Sequence, residues 1–167
     1  ADGAAVVLDG GEGMDTLYVY GTADLSQYDI RGIEAVEIRS DVSFDATQVT
    51  TVQSINGDGR SVLRIESKTG APVVVDLRDL DLSNLGQLEV GTSVTVQVAS
   101  PGDLGGARVL TGNGTIQGAG DTPLDLPAAF AVEDTLDVRN PDGSDATGAA
   151  DVLARVVSGS LGTPITD

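Results

Sequence analysis

ADLSQYDIRGIEAVEI, residues 23–38, aligns without a gap on VDLRDLDLSNLGQLEV, residues 75–90, at an offset of 52 residues. Asp24, Leu25, Asp29 and Glu37 recur identically as Asp76, Leu77, Asp81 and Glu89, and the large apolar positions stay apolar: Ile30, Ile33, Val36 and Ile38 become Leu82, Leu85, Leu88 and Val90. A weaker third copy starts at Leu124 (LDLPAAFAVEDTLDV), where Asp125, Leu126, Leu136, Asp137 and Val138 fall in step after one deletion. A Gly-x-Gly turn precedes each copy, at Gly11-Glu12-Gly13, Gly57-Asp58-Gly59 and Gly112-Asn113-Gly114. The first two turns run into alternating strands, Thr16 to Tyr20 and Val62 to Glu66. The chain therefore reads as one β domain over residues 1–167, built from about three copies of a unit of roughly fifty residues (approximately 10–56, 57–111 and 112–167), a period typical of solenoids and arrays.

Such a unit buries its apolar face only by stacking on the next coil, so the expected fold is all-β: a parallel β-solenoid of β-helix or β-roll type. Period-two alternation in Val94-Thr95-Val96-Gln97-Val98 and buried runs such as Val73-Val74-Val75 support strands of four to six residues. If each unit supplies two coils, a coil holds about 26 residues and the rod is on the order of 30 Å long. An antiparallel β-sandwich is the rival architecture, and Asn56-Gly57 is its one clean hairpin signal. Residues 146–157 (ATGAADVLARVV) form the one stretch read as helical, capped by Asp145 or Thr147.

The 167 residues suffice for a real core, and 40% hydrophobic content argues against disorder. Twenty Asp against six Glu, with 22 Gly, favour strands joined by tight turns, because Asp bonds nearby backbone N–H groups. The chain has no Cys, His or Trp and a single Lys, Lys68. That inventory excludes disulfides, thiolate or imidazole metal ligands and any Ser-His or Cys-His catalytic pair. A net charge of -17 argues against nucleic acid and anionic membrane as partners. The chain opens on Ala1, without an initiator Met or signal region, and reads as a processed chain or excised fragment with no membrane span.

One motif carries chemistry. Gly10-Gly11-Glu12-Gly13-Met14-Asp15-Thr16-Leu17-Tyr18 fits the nonapeptide G-G-x-G-x-D-x-U-x in full. Its glycines turn the chain tightly and aim carbonyl oxygens inward, and the Asp15 carboxylate completes an oxygen cage suited to Ca²⁺. Asp9, Gly11, Gly13 and Asp15 are the candidate ligands there. Asp142 and Asp145, three apart around Gly143, form a second candidate pair, with a plain turn as the competing reading. The later Gly-x-Gly turns lack the carboxylate, since Ser61 and Ile116 stand at the position of Asp15.

This nonapeptide resembles the RTX repeats of proteins exported by bacterial type I secretion. The larger unit, from about Gly10 to Gly120, looks like the β-solenoid repeats of surface-layer proteins and giant adhesins. In that family the cation sits between two successive turns, so one nonapeptide is half a site. The resemblance implies an extracellular, calcium-rich bacterial cell surface and a non-enzymatic structural protein that self-assembles as a homo-oligomer or stacks on neighbouring domains of its own chain, with cell-surface polysaccharide as a further partner. The alternatives are an accessory calcium-dependent carbohydrate-binding module and a polyuronate-active β-helix enzyme fragment. The enzyme would draw on Asp79 with Asp81, or Asp29 with Asp76, and on Lys68 as the sole base for a Ser nucleophile. Three Tyr and two Phe are few for a sugar-binding cleft.

Overall fold

The computed structural model describes residues 5–120, 124, 131–132, 136–144 and 146. Within them the chain winds as a three-sided parallel β-solenoid of about six turns. The first turn holds β1 (Val6–Asp9), β2 (Thr16–Val19) and β3 (Ala23–Asp24), and the second β4 (Tyr28–Arg31), β5 (Ala35–Ile38) and β6 (Val42–Asp45). The third begins with a single helical turn, α1 (Ala46–Val49), and continues with β7 (Ser54–Asn56) and β8 (Val62–Glu66). Then follow β9 (Val73–Asp76), β10 (Asp81–Ser83), β11 (Gln87–Val90), β12 (Val94–Val98), β13 (Val109–Gly112), β14 (Thr115–Gly118), β15 (Ala131–Val132) and β16 (Asp137–Arg139). Short 3-10 turns at Leu25–Gln27 and Pro101–Leu104 shape two of the corners.

Every strand pairing is parallel, so the antiparallel sandwich is excluded. The second face carries β2-β5-β7-β10, and the third carries β3-β6-β8-β11-β13-β15. The first face is split into β1-β4 and β9-β12-β14-β16, with α1 between them. Alternation points one side chain in two at the axis, and the register stacks these into columns. One runs Leu17, Val36, Ile55, Leu82; another runs Val42, Leu63, Leu88, Leu110, Val132. A third runs Val75, Val96, Ile116, Val138. Leu63, Leu88, Leu110 and Ile116 are fully buried, and each such side chain contributes about 1.5–3 kcal/mol by leaving water. Outward positions form polar ladders instead. Asn56 donates to Glu37 (2.8 Å) and accepts from Ser83 (2.9 Å), while Arg64 bridges Ser43 (3.3 Å) and Glu89 (2.9 Å).

Most coils are shorter than the 26 residues expected from two coils per unit, and they are unequal. Stacked neighbours Glu37 and Asn56 are 19 residues apart, Ser43 and Arg64 are 21, and Asn56 and Ser83 are 27. The 52-residue offset therefore spans two turns and one further face. Its first copy runs through β3, β4 and β5, on the third, first and second faces; the second copy runs through β9, β10 and β11, on the first, second and third. The three Gly-x-Gly turns obey the same rule, each sitting one corner further round: β1–β2, β7–β8 and β13–β14. Sequence equivalents are thus carried around the rod and never lie above one another.

The break in the first face has a local cause. Asp45 caps α1, accepting from Thr47 N (3.1 Å), and Gln48 closes the box by accepting from Asp45 N (2.8 Å). Ala46, Val49 and Val52, spaced by three, turn inward and are buried. Among the described residues no helix is long and apolar enough to cross a membrane. The stretch expected to be helical, residues 146–157, lies outside the described residues apart from Ala146.

Candidate metal centre

The nonapeptide forms the corner between β1 and β2. Asp9 Oδ1 accepts from Gly11 N at 3.0 Å, and Gly11 and Gly13 take φ of +91° and +124°, where a side chain would be strained. The corner stacks tightly on the one below. Gly10 N donates to Arg31 O at 2.9 Å, and a Cβ on Gly10 would lie 2.1 Å from Gly32 O. Asp15 is clasped through its backbone: its N–H donates to Glu34 Oε2 (2.9 Å), and its carbonyl accepts from Glu34 N and Ala35 N (both 3.1 Å). Its Oδ2 is buried without a hydrogen-bond partner, facing the bare Cα of Gly13. A buried carboxylate oxygen without a donor is costly, and a cation is one way to satisfy it.

The corner beneath is Arg31-Gly32-Ile33-Glu34, and no second nonapeptide lies there. Arg31 pairs with Asp29, and its guanidinium is held above its ordinary pKa by the hydrogen bond to Asp29, that residue's charge and the charge of Asp9. Positive charge beside Asp9 is thus supplied by the protein. Among the described residues no three acidic side chains gather into a metal-binding group. For calcium the corner offers Asp15 Oδ2, one oxygen of the donor type a half-site needs, and the turn on its β4 side carries no twin. Among the described residues the two-turn arrangement of the RTX resemblance is not formed, because the 52-residue unit places each glycine turn on a different corner.

The second glycine turn shows how the same word closes without an ion. Asp58 Oδ1 accepts from Arg60 N (3.0 Å) and Ser61 N (2.9 Å). Ser61, buried at the Asp15 position, accepts from Asp58 N (3.1 Å) and shares its one proton between Ile38 O (3.0 Å) and Asp58 Oδ1 (2.6 Å). The Ser61 hydroxyl, then the Arg60 N–H, hold the Asp58 carboxyl below its ordinary value.

The described member of the second candidate pair, Asp142, lies in a turn. Asp142 Oδ1 accepts from Ser144 N (2.9 Å) and Ser144 Oγ (2.6 Å), contacts that lower its pKa, and Gly143 N donates to Asn140 O (2.9 Å). Asp145 lies outside the described residues. The carboxylates considered for catalysis are dispersed or neutralised. Asp29 and Asp76 pair with Arg31 and Arg78, with α1 lying between their strands. Asp79 and Asp81 are exposed at one corner beside Asp103, which caps Ala99 N at 2.7 Å. Lys68 Nζ bonds the carbonyl of Ser26 (3.0 Å), whereas the Ser26 hydroxyl donates to Asp24 (2.5 Å), so no Ser–Lys pair forms there.

No family model matches the chain, and neither does any curated protein or solved structure.

Proposed function

We propose that this chain is a non-enzymatic structural segment of a bacterial cell-surface assembly, of the surface-layer, filament or adhesin kind, that builds by end-on stacking and is stabilised by calcium at the Asp15 corner. The observation carrying this reading is the first turn of the solenoid. Among the described residues β1, β2 and β3 each pair on one side only, leaving three strand edges open at one end of the rod. Exposed apolar side chains gather at that end: Val6, Val7, Met14, Tyr18 and Tyr20, the two tyrosines stacked with centroids 6.3 Å apart. Every ionisable side chain from Asp9 to Asp29 other than tyrosine is acidic, so contact with another acidic rod end requires screening, which a divalent cation provides. The unpartnered Asp15 Oδ2 lies in the same turn.

Light scattering and negative-stain microscopy test this reading. Calcium-dependent elongated particles, reversed by chelator, are the expected result. A strictly monomeric rod at high concentration with millimolar Ca²⁺ rejects assembly, and new ends released from acidic glycans reject the non-enzymatic reading.

A further inference from the structure

The interrupted face leaves a cleft that the assembly reading does not use. Four helical residues cover about 6 Å where four strand residues cover about 13 Å, so α1 spans only part of β4. The Gly10 N–H to Arg31 O bond fixes which main-chain groups of β4 face β1, and the alternation turns those of Tyr28 and Ile30 toward α1. Gln48 Nε2 donates to the Tyr28 carbonyl at 2.7 Å and to that of Leu25 at 2.8 Å, while among the described residues no strand runs beside Ile30 on this side. The result is an open cleft of about 410 Å³, within the range of small-molecule sites.

Its walls are hydroxyls, carboxylates and one ammonium around an aromatic ring. Tyr28 is 37% exposed, and Asp29, Thr47, Thr51 and Lys68 line the cleft with it. The Lys68 ammonium donates to Ser26 O at 3.0 Å and the Lys68 backbone N–H donates to Asp45 Oδ1 at 2.8 Å, so the wall is set before any ligand arrives. We propose that this cleft binds carbohydrate, with a neutral sugar ring seated on Tyr28 and its hydroxyls bonded to Asp29, Lys68 and the free main-chain groups of Ile30. A peptide fits less well, because among the described residues only Ala5 and Ile30 line the cleft with aliphatic side chains, and that of Ile30 is already buried in the core. A uronate fits less well because Asp24 and Asp45 already balance the single ammonium.

The test is titration of the isotope-labelled full chain with neutral tetrasaccharides of the β-glucan and mannan classes, a polyuronate tetrasaccharide and an extended polar decapeptide. A neutral sugar should move the Tyr28, Ile30 and Thr51 amide signals and bind about tenfold more tightly than the uronate. Tyr28→Ala should weaken binding by about tenfold, Tyr28→Phe should retain it, and Thr51→Trp should block the cleft in a protein whose circular dichroism is unchanged. Tyr20→Ala, at the open end of the rod, should leave it intact, which separates this site from assembly. The proposal is overturned if no sugar moves these signals at millimolar concentration, if the shifts centre on Tyr18 and Tyr20, or if only the decapeptide moves them, which would assign strand addition to β4 instead.

Discussion

The corner before β2 and the corner before β8 are built from the same glycine word and reach opposite electrostatic ends. In the second, Ser61 and Asp58 satisfy each other and tie the turn to Ile38 of the preceding turn. In the first, Asp15 stands where Ser61 does and one of its oxygens is left buried and unmet. A hydroxyl both gives and accepts, so it closes a turn of backbone groups alone; a carboxylate only accepts and requires a donor or a cation from elsewhere. One substitution at an equivalent position thus separates a self-sufficient corner from one that leaves a buried carboxylate oxygen unmet.

The largest break in that comparison is steric. Gly57→Ala would drive a Cβ to 2.4 Å from Asn84 O, and unfolding by denaturant should show a loss of about 3 kcal/mol. Ser61→Ala should cost about 2 kcal/mol, equally in Ca²⁺ and in chelator, because it strips the Ile38 carbonyl and the Asp58 N–H of their shared partner. Asp15→Ala sharpens the contrast: thermal unfolding should drop by about 1–2 kcal/mol in millimolar Ca²⁺ and change little in chelator. Equal shifts in both buffers reject the ion. Gly11→Ala, at φ +91° in open space, should cost about 1 kcal/mol from backbone strain alone.

The smallest effect is in pH. Asp58 has a folded pKa below its unfolded one, so its stabilisation is complete above the ordinary carboxylate value and disappears as pH falls through the lowered one. Asp58→Asn should therefore flatten the acid limb of the stability profile below about pH 4 and leave the neutral region nearly unmoved. An acid limb unchanged in this variant would remove the Asp58–Ser61 contact as its source.

The stacked parallel architecture was legible because apolar identity survives at every inward position of the two best copies, from Ile30 and Leu82 to Ile38 and Val90. The winding was not. A 52-residue offset is compatible with two long coils or with two and a third shorter ones, and alignment carries no information on which face a strand occupies. Lengths vary where α1 and the 3-10 turns replace or bend strands, and a residue count averages over these. The cleft was missed although its signals were present: the capping pair Asp45 and Gln48, and inward residues three apart at Ala46, Val49 and Val52. The motif singled out Asp15 as a candidate ligand, but that no twin lies on the β4 side of its corner could be seen only once the corners were placed.

The fractional advance of the unit has a consequence for display. Whole-number winding would paint equivalent outer residues as a single stripe along one side. Here each successive copy is dealt one third of a revolution onward, so a longer tract of such units would show any given decoration in three directions before returning to the first. Lateral neighbours recruited through that decoration would then approach from all sides, and the geometry of a bundle, more than that of a flat sheet, would follow.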